Sequence, residues 1–491
     1  MINAIGKALT LLFTVTLISQ FPCTALAQAK DTNPPNIILM MADDLGWGDT
    51  GFNGNKIIQT PHLDTMAQAG LKFNRFYSAA PVCSPTRGSC ITGRHPFRYG
   101  IYFANTGHMK APEITLAELL KKKGYRTGHF GKWHLGTLTT EVKDANRGKP
   151  GDDKHFSPPW KNGFDVCFST ESKVPTWDPL LCPKNEKGKH WWNAVDNQAD
   201  AIPYGTHYWN EKGESITENT RGDDSRVIMD RAIPFIEQCA LDKKSFFTII
   251  WFHAPHLPVV AGPKYVKMYQ EHDSFSQHYF GCITALDEQV GRLRQALKDT
   301  GVADNTLLCF CSDNGPEGSD KAPGTAANFR GRKRSLYEGG VRVPALIEWP
   351  AKIKAGSVTE FPAVTSDYLP TILEIVGASL TANRPIDGVS LVPVFSGKKY
   401  ERQTPIGFQT GNMSALSDNR YKLYRAGGQK NAKAVKEKQA KPVTLELYDL
   451  LADPGETNNI AGKHPEIVAS MLKQLIAWQE SCAESDAEKD Y

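Results

Sequence analysis

The chain carries 491 residues, with 57 Lys and Arg against 53 Asp and Glu and a formal charge of +4 at pH 7. So balanced a charge excludes bulk electrostatics as the basis for binding nucleic acid or an anionic membrane. The length exceeds what one core usually fills, so a large domain with a smaller companion is expected.

In chain order, residues 1–27 read as an export signal: Lys7, the apolar run Ala8 to Ile18, then Ala25, Leu26 and Ala27, with cleavage expected after Ala27. Cys23 is a weak lipid-acceptor candidate, because Gln20, Phe21 and Pro22 resemble a lipobox poorly. No later segment has the roughly twenty consecutive apolar residues of a membrane span, so a periplasmic or secreted protein is expected.

From there strands and helices alternate, the pattern of an α/β sheet covered on both faces. Ile37 to Met41 is a continuous apolar run suited to a central parallel strand, and Asp43 and Asp44 follow it. In CSPTRGSCITGR, Cys83 to Arg94, Pro85 fits a first helical turn and puts Cys83 just before a helix N-terminus. Such an end offers free amides and a positive dipole to an anion, and Arg87 adds a cation. A cysteine-phosphatase loop would need Arg at position 89, which is Ser. Thr115 caps a helix carrying Leu116, Leu119 and Leu120 that ends at Gly124.

The strand Arg126 to Phe130 precedes GKWHLG, whose alternation directs Lys132 and His134 to one side. Cys167 and Cys182 close a short Pro-rich loop and are the best candidate disulfide pair in an exported protein. Around them lie aromatic residues outside any periodic run, including Trp191 and Trp192. Ser172, Trp177, Asp178, His207 and Arg332 are the candidate substrate contacts. The strand Phe246 to Phe252 leads into HAPHLP, with His253 and His256.

A helix with Ile283, Leu286, Val290, Leu293 and Leu297 on one face stops at Gly301. The strand Thr306 to Cys311 follows, with Cys309 and Cys311 on one face as buried thiols, and then Asp313 and Asn314. Asp43, Asp44, Asp313 and Asn314 thus place oxygen donors along one edge of a parallel sheet, a set suited to Ca²⁺ or Mg²⁺. Arg330, Arg332, Lys333 and Arg334 form a basic cluster. Past residue 375 the pattern changes to strands at Arg420 to Arg425 and Thr444 to Leu450 and a helix at Pro465 to Gln479, with a mobile loop expected at Gly427 to Pro442. The expected division is therefore a catalytic domain at 28–375 and a C-terminal subdomain at 376–491.

The CSPTR core with its Thr-Gly-Arg tail resembles the signature of the type I sulfatases, and further motifs of that family follow in order from Asn36 to Trp478. The resemblance implies an alkaline-phosphatase-like α/β fold, with a large, mostly parallel mixed sheet between helices and a smaller C-terminal α+β part containing an antiparallel sheet. It implies that Cys83 is oxidised to formylglycine by a separate maturation enzyme, and that Ca²⁺, or Mg²⁺, is held by Asp43, Asp44, Asp313, Asn314 and the converted Cys83. It assigns sulfate binding to Lys132 and Lys333, work on the covalent intermediate to His134, the acid role to His256 and support of the converted side chain to Arg87, leaving His253 structural. Within that family the chain most resembles bacterial polysaccharide and glycosaminoglycan sulfatases, so a sulfated carbohydrate substrate is expected, with no nucleic-acid partner. A broad arylsulfatase, or a phosphatase or phosphonate hydrolase of the same superfamily, is the alternative.

Overall fold

The computed structural model describes residues 34–195, 198–380, 384–398, 400–427 and 442–491. The expected export signal and nearly all of the expected loop at Gly427 to Pro442 lie outside them.

Three apolar runs build the centre. Asn36–Ala42, Phe246–Trp251 and Thr306–Ser312 are buried at every position, as continuous apolar strands must be when both faces of a sheet are covered. Their alternate residues feed two cores. Ile37, Leu39, Met41, Leu307, Cys309 and Cys311 pack into one, and Ile38, Met40, Leu308 and Phe310 into the other. Helices Cys83–Thr92, Leu116–Lys122 and Tyr368–Ile375 cover the first face. Pro61–Ala69, Asp224–Leu241 and Ser274–Asp299 cover the second.

The main sheet has ten strands. Five neighbours in its middle run parallel in the order Thr306–Ser312, Asn36–Ala42, Phe246–Trp251, Arg126–Lys132, Val166–Thr170. Ala345–Glu348 pairs antiparallel on one side and Tyr208–Trp209 on the other. The register sets Ala42 beside Ser312 and Lys132 beside Thr170, so the chain leaves neighbouring strands at one level.

A second sheet of four antiparallel strands, Ile406–Thr410, Met413–Ser417, Tyr421–Ala426 and Thr444–Asp449, packs beneath the helix Pro465–Asp486 through Leu416, Leu423, Leu447, Met471 and Leu475. It joins the rest through a fully buried ammonium. Lys422 Nζ lies 3.0 Å from both Glu338 Oε1 and Glu456 Oε1.

The disulfide expected between Cys167 and Cys182 is not formed, and both are free thiols. Cys167 is packed in the first main core and Cys182 in a separate cluster with Trp192 and Val260, so different apolar environments hold the two sulfurs.

Candidate active site

All five parallel strands deliver functional groups at their C-terminal ends, the edge where open α/β sheets build sites. After Ala42 the backbone turns through Asp44, whose φ is +68°. The Asp44 amide donates to Asp313 Oδ1 at 3.1 Å and the Leu45 amide to Ser312 Oγ at 3.0 Å. These bonds lock the two acidic loops together. Arg126–Lys132 reaches the same edge through Gly131, which has φ +103° and no room for a Cβ beside the Trp251 carbonyl.

Cys83 is the first residue of the helix Cys83–Thr92 rather than the residue before it. All ten residues of that helix are buried, and no side chain caps its N-terminus, so its first amides face the site unclaimed. Thr86 Oγ1 fixes the approach by donating to the Ala80 carbonyl at 2.9 Å. Gly88 is required because a Cβ would fall 2.6 Å from Tyr99 Oη.

Asp43, Cys83 and Asp313 each offer an atom within 4.8 Å of the others, as do Asp43, Asp44 and His256. Cations bind the carboxylates from outside: Lys132 to Asp43 at 2.6 Å, Lys333 to Asp44 at 2.6 Å and Arg87 to Asp313 at 2.7 Å. Asn314 Nδ2 donates to Asp44 Oδ1 at 2.7 Å. Burial would raise the Asp43 carboxyl, but Lys132, His256, Arg87 and Lys333 carry it well below the usual range. Burial, reinforced by the Asp43 charge, pushes Asp313 to about 7 against the pull of Arg87. Burial also pushes the Cys83 thiol up in spite of Lys132 and Lys333, so the cysteine is a poor thiolate nucleophile. Asp43 Oδ1 and Asn314 Oδ1 are buried with no hydrogen-bond partner. Two orphaned oxygens among carboxylates fit a hard divalent cation.

The histidines divide sharply. His253 is buried with both nitrogens occupied, Nδ1 by Asp224 at 2.8 Å and Nε2 by Thr170 Oγ1 at 2.7 Å. His256 donates Nδ1–H to the Leu257 carbonyl at 2.6 Å, which leaves Nε2 on the cavity, 3.7 Å from Asp44 Oδ2. Burial pushes its pKa down to about 4, with Asp43 and Asp44 opposing. His134 lies beyond the end of its strand at φ +60°, so strand alternation does not place it. Its Nε2 meets Asn105 Oδ1 at 2.7 Å, and that oxygen also accepts from Asn146. The Asn105 oxygen therefore fixes the proton on Nε2 and leaves Nδ1, buried without a partner, as a bare lone pair. Burial and then Lys132 hold this imidazole well below the usual pKa.

Cys83, Lys132, His134, His256 and Lys333 line one cavity of about 690 Å³. Of the candidate substrate contacts, Ser172 lines it as well. Four others do not. Trp177 packs on Gly262, Asp178 pairs with Arg221 at 3.0 Å, and the His207 amide and ring both bond Asp144. Arg332 braces a loop through the Glu317 and Gly324 carbonyls. Arg334 of the basic cluster also lines the cavity, and cavity residues that the sequence did not reveal include Asn105, Asn146, Lys173 and Glu317. Only Glu317, four residues past Asp313, offered a positional hint. It binds Lys333 at 3.2 Å and Arg334 at 2.6 Å.

Comparison with known proteins agrees with this geometry. Residues 35–378 match the family model described as Sulfatase, and residues 330–481 match that of the N-sulphoglucosamine sulphohydrolase C-terminal region. N-acetylgalactosamine-6-sulfatase of Sus scrofa is 30% identical over 481 residues, covering 91% of this chain and 85% of that protein. Arylsulfatase G of Rattus norvegicus is 28% identical, covering 93% and 89%. The crystal structure of Ps i-CgsB in complex with k-i-k-neocarrahexaose superposes with a TM-score of 0.75 at 27% identity, covering 91% of this chain and 93% of that one. With the family model spanning most of the chain and a relative 30% identical over most of both chains, the chain belongs to the sulfatase family and is a sulfuric ester hydrolase.

Proposed function

We propose that the protein removes sulfate from a sulfated carbohydrate, using Cys83 converted to formylglycine and a divalent cation, Ca²⁺ or Mg²⁺, held by Asp43, Asp44, Asp313 and Asn314. The observation that carries this reading is the pair of orphaned oxygens, Asp43 Oδ1 and Asn314 Oδ1, beside a buried, poorly ionising Cys83. The converted side chain would supply a hydrated aldehyde that can both attack sulfur and later release sulfate, and the cation would supply a positive charge that draws off sulfuryl electron density. The sugar assignment is supported by the aromatic lining Phe103, Trp192, Tyr204, Phe275 and Tyr279 and by the names of the relatives.

The chain's own residues perform the rest. Lys132 and Lys333 bind the sulfuryl oxygens and lower the barrier that negative charge sets against a nucleophile. Asp313, held by Arg87 and raised towards 7, takes a proton from the attacking hydroxyl. His256 Nε2 gives its proton to the leaving oxygen. Burial keeps this nitrogen bare near neutrality, so the negative charge of the incoming ester, together with Asp44, loads it. His134 Nδ1 takes the proton whose removal frees sulfate.

Export to the periplasm or beyond rests on residues 1–27, and no described helix is long and apolar enough to cross a membrane. The test is sulfate release from defined algal galactan, ulvan, fucan and glycosaminoglycan oligosaccharides, beside 4-nitrophenyl sulfate and phosphate. We expect release from at least one sugar, formylglycine mass at position 83, and no activity in Cys83→Ala. A clear preference for phosphate, or activity in Cys83→Ala, would reject the reading.

A further inference from the structure

The main cavity has a side branch of about 210 Å³ lined by Ala145, Asn146, Ser172, Lys173, Lys187, Gly188, Tyr204, Gly205 and Thr206. Asn146, Ser172, Lys173, Gly188 and Tyr204 line both spaces, so the two adjoin along these residues. The branch holds two lysines and no carboxylate.

Lys187 and Lys321 are exposed, whereas Lys173 is partly buried and differs from the other cations held around the cavity. Lys132 is paired with Asp43, Lys333 with Asp44, Arg334 with Glu317 and Arg147 with Glu171, at 2.6, 2.6, 2.6 and 2.7 Å respectively. The partly buried Lys173 ammonium has no ion pair or hydrogen bond among the described residues, while its backbone is anchored by Thr206 Oγ1 donating to its carbonyl at 3.1 Å. Burial, with Lys132 and Lys333 adding to it, pushes the Lys173 pKa down. A bound anion would relieve that strain on the charged form. Polar groups that suit an oxyanion stand beside it, with Ser172 Oγ accepting from Asn146 Nδ2 at 2.8 Å.

Position sets the role. Lys173 follows Val166–Thr170, one strand outward from Lys132, so it lies roughly one or two strand spacings, ~5–10 Å, from the sulfate to be cleaved. That is the reach of a second substituent on the same sugar or of the next residue in the chain. We propose that the side branch binds a second anionic group of the substrate, a sulfate or a carboxylate, through Lys173, and so selects doubly anionic saccharides. This rests on the cavity being a sulfated-sugar site, as above.

Binding separates the two ideas, because it needs no turnover. Dissociation constants would be measured by calorimetry on Ca²⁺-loaded Cys83→Ala protein for galactose 6-sulfate, its 2,6- and 4,6-disulfates, and a 6-sulfated galactose linked to a uronate. We expect at least one doubly anionic ligand to bind about 10-fold more tightly than the monosulfate, as a charged hydrogen bond allows. Lys173→Met should erase that ratio and Lys173→Arg should keep it, with both variants melting like the parent. The disulfate and uronate arms distinguish the source of the anion. An equal affinity for all ligands, or an advantage that survives Lys173→Met, overturns the proposal. Sulfate release by the converted wild-type protein is scored separately and tests the function itself.

Discussion

His253 and His256 stand three residues apart and have opposite surroundings. One has both nitrogens tied to Asp224 and Thr170, and the other keeps Nε2 on the cavity. A proton donor matters most when the leaving oxygen is strongly basic, so His256→Ala should cut kcat/KM on a sugar sulfate by about 10²-fold or more while largely sparing 4-nitrophenyl sulfate. His253→Ala should instead impair both substrates alike and lower the melting temperature. A leaving-group-selective defect in His253→Ala would exchange the two assignments. At this scale the sequence was legible wherever a motif ended a strand, as at Asp43, Asp313 and Lys132. It was not legible for Asn105, Asn146 and Lys173. Those residues lie on irregular segments whose route depends on tertiary packing, and no apolar period marks them.

Among elements, the buried cluster at Lys422 carries the connection between the two sheets. Glu338 and Glu456 both face its ammonium, and Arg342 and Tyr77 also contact Glu338. Burial pushes Glu456 up to about 7 even so. Removing Lys422 leaves Glu456 buried without a counter-charge and Glu338 to Arg342, so Lys422→Met should cost about 3–5 kcal/mol in denaturant unfolding. The triple change with Glu338→Gln and Glu456→Gln should recover part of that loss. An unchanged midpoint for Lys422→Met would show the cluster to be dispensable. The long central strands were legible from their apolar runs, as was the final helix. The two- and three-residue strands at the sheet edges carry too few side chains to set a period. The hairpin Ile406–Thr410 and Met413–Ser417 carries a usable signal in its Gly411-Asn412 turn.

For the whole molecule, two neighbouring strand ends and a helix N-terminus bring the proposed metal ligands together from distant stretches of chain. Binding there should therefore brace the fold. Protein stripped with a chelator should melt at a lower temperature and lose activity, and Ca²⁺ or Mg²⁺ at one equivalent should restore both. Asp43→Asn should melt identically with and without the ion. A stabilisation by Ca²⁺ that persists in Asp43→Asn would place the ion elsewhere.

The same convergence leaves Cys83 only 2% exposed, on a helix with no residue at the surface. For the proposed conversion another enzyme would have to reach the thiol, and the folded molecule offers only the cavity wall, with the rest of the helix buried. The conversion proposed for Cys83 would then have to come before the chain closes, and a molecule that closes first would lack the proposed nucleophile. Folded, unconverted protein mixed with the maturation enzyme should keep the mass of cysteine at position 83, whereas a peptide spanning Val82 to Arg94 should be converted. Time, more than catalyst, would limit how much of each batch is active.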